Sequence, residues 1–484
     1  MFSSELWQKS GVSTYSIDQS IRFDWASITS GSYMHKTYSG AGDRTSWTWS
    51  CWFKLGSLNG FTTASNYYYA LFSCDSSTSD AGRGMLLIIA DSGVEDAIKI
   101  QFQGHSTVFL KTTRQFRDPS AWYHITLVWD SDNSMASERA RLYINGQRET
   151  SFTTQNNPTS GQEIGINLAA EHRIGGTKNL SSSALNYPWD GYMADIHFLD
   201  GYSYGPEYFG ETTSNGLWIP KEYDGSYGSN GFKIDGRDSS DLGDDESGQG
   251  NDFTTSGLAA HDQMLDTPTN NFCTPNPLDN YYCACTFSNG NMIVDTSNSP
   301  YSYFTTTQKI PTTGKWYAEC RAYDVTGHML LGIAEEPAQS NAHYLGHYSS
   351  NYSYYHYNGK SITGTTQSSY GNTYTAGDII GIAVDMDNNK LYFSKNGTFQ
   401  NSGDPTSGSS GTGAISIAGG VEYFFAGSDY GSGSASDFRW NFGQDPTFSD
   451  GVTAGGNSDS NGIGNFKYSV PSGYLALCTK NLGS

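Results

Sequence analysis

Short segments in which apolar and polar residues alternate recur along most of this chain, and they constrain its fold more than any other feature. Residues 47–53, WTWSCWF, put two tryptophans, a cysteine and a phenylalanine on one face of an extended strand. Asn145-Gly146 and Asn396-Gly397 follow two similar segments, and Asn-Gly is the strongest short signal for a hairpin turn. The chain is also rich in turn and strand formers, with 56 Gly and 34 Tyr. We therefore predict an all-β protein without long helices.

The charge of the chain excludes several classes of partner. Its 48 acidic residues outnumber 27 basic residues, which gives a net charge of −21 at pH 7. Nucleic acids and anionic membranes bind concentrations of Lys and Arg, so we predict neither as a partner. No stretch approaches the apolar length of a membrane span, so we expect no membrane insertion. The opening residues, MFSSELWQKSG, also lack the basic start and apolar run of a secretory signal.

The seven cysteines show no repeated spacing. In a reducing cytoplasm we expect them to remain thiols. Cys283 and Cys285, one residue apart, are a weak signal for a metal site. Buried or edge-strand thiols are the simpler interpretation of this pair.

Residues 16–209 form a first β block that resembles a known domain. Four elements occur in it in order: SIRF at 20–23, WYHITLVWD at 122–130, LYING at 142–146 and DGYMADI at 190–196. Together they resemble the laminin-G-like, concanavalin A-like domains, which implies a β-sandwich of the jelly-roll type. The resemblance implies no single function, because such domains serve lectins, glycanases and adhesion proteins alike.

Residues 210–289 are predicted to form an irregular acidic connector, because alternation is weak there and Pro, Asp and Asn are frequent. Residues 235–246 hold six carboxylates against one arginine. Calcium takes six to eight oxygen ligands from flexible acidic loops. The candidate calcium ligands are Asp241, Asp244 and Asp245 in this run, and Asp130 and Asp132 in an acidic turn of the first block. The spacing does not match the EF-hand pattern, so a solvated linker that needs no cofactor is the alternative.

Residues 290–484 form a second β block. Alternating or apolar segments at 314–320, 329–334 and 377–397 are followed by WNFGQ at 440–444 and PSGYLAL at 471–477. This set, in this order, resembles the SPRY domain, a β-sandwich used for protein and ligand recognition. We therefore predict two jelly-roll-like β-sandwiches joined by the acidic connector.

The combination of the two blocks resembles surface and appendage proteins of tailed bacteriophages. It implies a virion protein that is assembled in the host cytoplasm and contacts other virion subunits, with a homo-oligomer expected. Residues 1–15 are a candidate attachment segment. We expect a tail fibre, spike or other appendage that binds a host-surface glycan or receptor. A purely structural capsid-decoration or tail-connector subunit is the alternative, and a polysaccharide depolymerase is the third interpretation.

The strands lack the carboxylate row that a glycanase of this fold would need. Such enzymes place two carboxylates on either side of the scissile bond. The best-placed strand carries Asp195, but Met193 and His197 occupy the neighbouring positions on the same face. No nucleophile elbow, phosphate-binding loop or zinc-protease helix motif occurs either. We therefore expect no catalysis, and a structural role for strand histidines such as His197.

Two aromatic stretches have the composition of a glycan- or partner-binding surface, because sugars are held by aromatic faces and polar side chains. The first is 66–69, NYYY, and the second is 343–357, which holds six Tyr and three His. Alternate tyrosines could instead cover a sheet, so a purely structural role remains the alternative for the second stretch. The candidate contact residues are Tyr67, Tyr68, Tyr344, His347, Tyr348 and Tyr352.

Overall fold

The computed structural model of the protein describes residues 15–27, 29–57, 67–90, 98–296, 301–431 and 435–483. Within these ranges the chain forms strands and turns, and its helical segments are five 3₁₀ turns of three residues each. No described helix has the length and apolar character needed to cross a membrane. The prediction of an all-β protein is confirmed. The chain divides into two compact units, with a boundary between Thr269 and Asn270.

The first unit contains 22 strands in its described part. In chain order these are β1 (Ser20–Phe23), β2 (Trp25–Ser27), β3 (Ser30–Gly31), β4 (Tyr33–Thr37), β5 (Ser46–Leu55), β6 (Tyr67–Asp75), β7 (Arg83–Ala90), β8 (Ile98–Gln103), β9 (Val108–Thr112), β10 (Trp122–Asp130), β11 (Ala140–Ile144), β12 (Gln147–Arg148), β13 (Phe152–Gln155), β14 (Glu171–Ile174), β15 (Thr177–Lys178), β16 (Leu185–Asn186), β17 (Gly191–Asp200), β18 (Gly210–Thr212), β19 (Trp218–Pro220), β20 (Phe232–Ile234), β21 (Thr254–Ser256) and β22 (Gln263–Met264).

Two large antiparallel sheets face each other in the first unit. One has the order β12-β11-β10-β5-β17-β1-β22, with β20 beside β17, and the other has the order β13-β9-β8-β7-β6-β14-β4-β21. Their inner faces bury one core in which Trp47 of β5 lies edge-on to Phe102 of β8, with ring centroids 6.0 Å apart. The predicted apolar face of residues 47–53 lies in this core. Burial of large aromatic side chains on alternate positions is what holds the sheets together.

Residues 210–269 differ from the predicted irregular connector, because they add strands to both sheets of the first unit. β20 pairs with β17, β21 with β4 and β22 with β1. Two buried ion pairs hold this stretch: Arg22 with Asp262 at 3.0 Å, and Lys54 with Asp266 at 2.7 Å. The predicted first domain therefore extends well beyond residue 209, and the acidic stretch belongs to its fold.

The second unit contains 15 strands in its described part. In chain order these are β23 (Thr286–Ser288), β24 (Ile293–Asp295), β25 (Tyr303–Thr305), β26 (Lys315–Asp324), β27 (Met329–Ala334), β28 (Asn351–Tyr355), β29 (Lys360–Thr363), β30 (Thr366–Ser369), β31 (Ile379–Asp385), β32 (Lys390–Lys395), β33 (Thr398–Phe399), β34 (Ile415–Ser416), β35 (Phe424–Asp429), β36 (Asp437–Asn441) and β37 (Leu475–Ala476).

These strands form a second sandwich. A nine-stranded sheet has the order β23-β24-β36-β26-β31-β32-β33, with β34 beside β32 and β37 beside β26, and a six-stranded sheet has the order β25-β35-β27-β28-β29-β30. Trp440 of the first sheet and Phe425 of the second belong to one buried core. Asn396-Gly397 forms the predicted turn between β32 and β33, with φ values of 49° and 79°. Positive φ at both positions is what a type I′ turn requires.

The cysteines differ from the expectation in one place. Cys283 and Cys285 are joined by a disulfide, whereas we expected thiols throughout. Their one-residue spacing brings both side chains to the same side of the chain at Ala284, whose φ is positive. The remaining cysteines are buried and unbridged: Cys51, Cys74, Cys273, Cys320 and Cys478.

Candidate functional site

A cavity of about 360 Å³ opens on the outer face of one sheet of the first unit. We call it the hairpin cavity, because the β15–β16 hairpin forms one of its walls. Strands β6, β7 and β8 form the other wall. Its lining side chains include Tyr68, Asp75, Arg83, Gln103, Lys178, Asn179, Ser181, Asn186 and Tyr187.

The two tyrosine rings of the hairpin cavity come from distant parts of the chain. Tyr68 is half-buried on β6, and its ring centroid lies 5.0 Å from that of Tyr187, directly after β16. The backbone N–H of Ala70 donates to the carbonyl of Tyr187, which ties the end of the hairpin to the sheet. Small-molecule sites commonly combine aromatic side chains with a few polar groups, and this cavity has both.

The charges of the hairpin cavity are held in place by ion pairs. Arg83 donates from Nε to Asp75 at 2.6 Å, and Lys178 lies 3.3 Å from Glu171. Burial raises the pKa of Asp75, and the hydrogen bond and charge of Arg83 oppose that rise. The Arg83 guanidinium and the Lys178 ammonium both remain partly exposed.

A continuous band of aromatic rings covers part of the second unit. We call it the aromatic band, and its ring-to-ring contacts run from His347 through Tyr344, Tyr430 and Tyr355 to His328. Tyr344 and Tyr430 lie edge-on with centroids 4.2 Å apart. The members of the band are Tyr301, His328, His343, Tyr344, His347, Tyr348, Tyr355, His356, Tyr357 and Tyr430.

The histidines of the aromatic band are in direct contact with other rings. His343 and His347 are stacked, with centroids 3.9 Å apart and an interplanar angle of 9°. The hydroxyl of Tyr348 lies 2.5 Å from Nδ1 of His343. Burial and the neighbouring His343 lower the pKa of His347. Tyr357 is 64% exposed and stacks on His328, so this end of the band is open to a partner.

The structure brings together three of the predicted contact residues of the second block and corrects a fourth. Tyr344, His347 and Tyr348 all belong to the aromatic band and are half-buried. Burial and the adjacent Tyr430 raise the pKa of Tyr344 to about 12. Tyr352 instead lies on β28 in the core, 6% exposed, and its hydroxyl accepts from the N–H of Ala418. Strand alternation turned that ring inward, so it is not a surface contact.

The first predicted stretch is only partly described. Tyr68 lines the hairpin cavity as a predicted contact residue. Tyr67 begins β6, and its side chain lies outside the described part of the chain, as does Asn66. The predicted attachment segment 1–15 also lies outside the described residues except for Tyr15.

The candidate calcium ligands do not converge in the described part of the chain, where no three metal-ligating side chains lie together. Both carboxylate oxygens of Asp245 accept backbone N–H groups, from Lys233 at 2.8 Å and Asn251 at 2.8 Å among others. These bonds fix a loop.

The other candidate calcium ligands are also dispersed. Asp130 accepts from the amide of Asn133 at 2.9 Å, and Asp132 is exposed. Asp241 accepts from the N–H of Gly243. Burial, together with neighbouring carboxylates, raises the pKa of Asp244.

The carboxylate that was best placed for catalysis is enclosed. Asp195 is 2% exposed, accepts from the hydroxyl of Tyr15 at 2.8 Å and lies 3.1 Å from Nε2 of His197. His197 is itself buried and contacts the hydroxyl of Tyr227. A bulge in β17 turns Asp195 out of the regular alternation, with a φ of 49°. The group is part of a buried polar network.

Sequence reasoning missed several residues that complete both surfaces. Tyr187 and Lys178 of the β15–β16 hairpin lie more than 100 residues from Tyr68, and the hairpin strands have only two residues each. Tyr430 follows β35 and joins the band to Tyr344, which lies 86 residues earlier in the sequence. No short sequence pattern marks Tyr187, Lys178 or Tyr430 as a site residue, because their positions depend on which strands become neighbours in the fold.

Family comparisons identify the two domains. A model of the concanavalin A-like lectin/glucanases superfamily matches residues 29–202, and a model of the SPRY domain matches residues 315–414. The chain therefore contains a concanavalin A-like domain and a SPRY domain, and both predictions of domain type are confirmed. No curated protein matches the chain.

Solved structures share parts of this fold at low identity. The SPRY domain of human HERC1 is 17% identical with a TM-score of 0.25, and the match covers 32% of this chain and 91% of that one. A heptameric SAP-like pentraxin from Limulus polyphemus is 19% identical with a TM-score of 0.29, covering 39% and 79%. A candidate carbohydrate-binding protein from Bacteroides ovatus is 16% identical with a TM-score of 0.32, covering 51% and 60%. At such identities a shared fold does not define a function.

Proposed function

We propose that this chain is a non-enzymatic, glycan-binding protein of a bacteriophage particle, in the class of tail fibres, spikes and other surface appendages. The hairpin cavity carries the glycan-binding part of this proposal. It lies in the lectin-like unit and sets the rings of Tyr68 and Tyr187 beside amides and charged groups. The virion part rests on the pairing of a concanavalin A-like domain with a SPRY domain in one chain, which resembles phage appendage proteins.

The chemistry of the hairpin cavity suits a saccharide. Aromatic faces pack against sugar C–H groups, and amide and charged side chains bind the hydroxyls. Asn186 and Gln103 supply both donors and acceptors at the cavity wall. Its volume of about 360 Å³ lies within the usual range for small-ligand sites and would accept one or two sugar rings.

The proposal includes no catalytic step. A retaining or inverting glycosidase needs two carboxylates at a defined separation across the scissile bond. Among the described residues, the hairpin cavity has one lining carboxylate, Asp75, and Arg83 donates to it at 2.6 Å. Asp195 is enclosed by Tyr15 and His197. These contacts favour binding over hydrolysis.

A glycan array with the full-length protein tests this function, followed by calorimetry with the best ligand. Replacing Tyr187 with Ala should weaken binding about thirtyfold, since truncation of an aromatic hot spot typically costs about 2 kcal/mol. Tyr143→Ala is the matched control, because Tyr143 is half-buried on β11 and does not line the cavity. Equal affinity in the two variants would remove the cavity from the proposal.

A second candidate function is a purely structural subunit, and the aromatic band favours it. Tyrosine-rich surfaces are typical of protein interfaces, where aromatic side chains supply large contact areas at low entropic cost. The band ends in Tyr357, 64% exposed, and its stacked partner His328. Other virion subunits or a second copy of the chain are the expected partners of this surface.

Adsorption and assembly separate the two functions. The free protein should adsorb to susceptible cells if it binds host glycans, whereas a connector should not. Tyr357→Ala should reduce incorporation into particles if the band is an assembly surface. Tyr281→Ala is the control, because Tyr281 is 88% exposed in the same unit and makes its described ring contact only with Tyr282. Equal incorporation of both variants would exclude the open end of the band as that interface.

A further inference from the structure

The charged groups around the hairpin cavity do not balance. Three cations and two carboxylates form two separate groups of ion pairs: Arg83 with Asp75, and both Arg173 and Lys178 with Glu171. Three positive charges against two negative charges leave a local net charge of +1. The whole chain carries −21, so this local excess has the opposite sign to the protein around it.

The excess positive charge lies at Lys178. Glu171 is shared, because its Oε1 accepts from Nε of Arg173 at 2.6 Å while its Oε2 lies 3.3 Å from Nζ of Lys178. Arg173 directs its remaining described hydrogen bonds to backbone carbonyls, including those of Thr177 and Ser183. One carboxylate thus serves two cations, and Lys178 lines the cavity with 26% of its side chain exposed.

In the described part of the chain, Asp75 is the carboxylate that lines the cavity. Asp80, in the turn before β7, is not among the lining residues, and its carboxylate accepts from the N–H groups of Ser106 and Thr107. The uncharged donors of the cavity wall include the amides of Asn179 and Asn186 and the hydroxyl of Ser181. A ligand that carries a negative charge would therefore contact the ammonium group of Lys178, which shares its carboxylate partner with Arg173, and neutral hydrogen-bond donors around it.

We infer that the hairpin cavity binds an acidic saccharide, one whose carboxylate, sulfate or phosphate lies against Lys178 while its ring packs on Tyr187. This inference rests on the proposed glycan-binding function and names its substrate class. The negative net charge of the protein repels anions in general, so this site selects an anionic sugar only by direct contact with its cations.

The test is a glycan array with matched neutral, uronate-bearing and sulfated or phosphorylated oligosaccharides, probed with wild-type protein at low and high salt. The acidic members should bind at least tenfold more tightly than their neutral counterparts, and high salt should reduce that difference. The arms with uronate, sulfate and phosphate identify which anion the site takes. Neutral glycans bound as tightly as acidic ones would overturn the inference and leave glycan binding intact. No bound glycan at all would refute the proposed function itself.

Three variants test whether Lys178 is the source of the preference for acidic ligands. Lys178→Gln should reduce affinity for the acidic ligand about tenfold and affinity for the matched neutral ligand much less, because the charge-assisted hydrogen bond to the anion is lost. Lys178→Arg should retain acidic binding. Lys221→Gln is the control for net charge, because Lys221 is exposed in the same unit and does not line the cavity. An equal loss in Lys178→Gln and Lys221→Gln would attribute the preference to general charge and contradict the assignment.

Discussion

Removing the negative partner of a buried lysine should destabilise the first unit strongly. Lys54 of β5 and Asp266 are both fully buried, with Nζ and Oδ2 2.7 Å apart, and Trp122 donates from Nε1 to Oδ1 of Asp266 at 3.0 Å. Asp266→Asn keeps the shape and removes the charge. The buried Lys54 ammonium would then lose the negative charge that lies 2.7 Å from it.

The expected magnitude follows from the burial. Breaking a fully buried ion pair by neutralising one partner costs about 3–5 kcal/mol. For a unit of this size, a loss of 1 kcal/mol lowers the melting temperature by about 2–4 °C, so we expect a fall of about 10 °C. The control is Glu138→Gln, because Glu138 and Arg148 lie 2.9 Å apart with both side chains partly exposed. Pairs of that kind contribute less than about 1 kcal/mol.

Urea unfolding followed by tryptophan fluorescence measures this effect, since eight of the 11 tryptophans lie between Trp25 and Trp218 in the first unit. The double variant Lys54→Met with Asp266→Leu should recover much of the lost stability, because an apolar pair needs no counter-ion. If Asp266→Asn unfolds at the same urea concentration as Glu138→Gln, this ion pair does not fix residues 210–269 to the sandwich, and the reasoning fails.

Two further predictions concern pH and metal. His172 is buried, its Nε2 accepts from the N–H of Asn167, and burial lowers its pKa to about 4. Below about pH 6.5 the unfolded state binds a proton at His172 that the folded state does not bind, so this residue alone should lower the free energy of unfolding by about 1.4 kcal/mol between pH 7.5 and 5.5. Burial also lowers the pKa of His124 to about 3, so the total fall should be larger. Thermal melts should show a fall that is smaller by about 1.4 kcal/mol in His172→Gln than in the wild-type protein. For calcium, we expect equal melting temperatures with about 0.5 mM Ca²⁺ and with chelator, because backbone N–H groups already bind Asp245. A specific site would instead raise the free energy of unfolding by about 2.7 kcal/mol when the Ca²⁺ concentration is 100-fold above its Kd.

The strands and turns of both sandwiches could be predicted because their signals are local. Alternation at residues 47–53 and the Asn-Gly pairs are contained in a few neighbouring residues, and the structure confirms both. The three-residue strand β21, Thr-Thr-Ser, has no such pattern. β21 pairs with β4 across more than 200 residues, so its partner depends on the completed sheet. Residues 210–269 were therefore predicted as part of a connector, although strands β20, β21 and β22 complete the two sheets of the first unit.

The binding surfaces were predicted only in part, for the same reason. Aromatic density pointed to Tyr344, His347 and Tyr348, and these rings do lie together. Tyr352 has the same composition around it, yet its place on β28 turns it into the core. Composition indicates that rings are abundant, whereas strand position decides which of them face outward.

Strands β21 and β22 have a consequence for any fragment of this protein. They are the last strands at one edge of each large sheet, and both follow residue 209. A fragment cut after Phe209, or at the end of the family match, would leave β4 and β1 with bare rows of N–H and C=O groups. Exposed edges of this kind recruit strands from other chains, and misassembly follows. The shortest fragment that keeps both edges paired therefore ends beyond Met264.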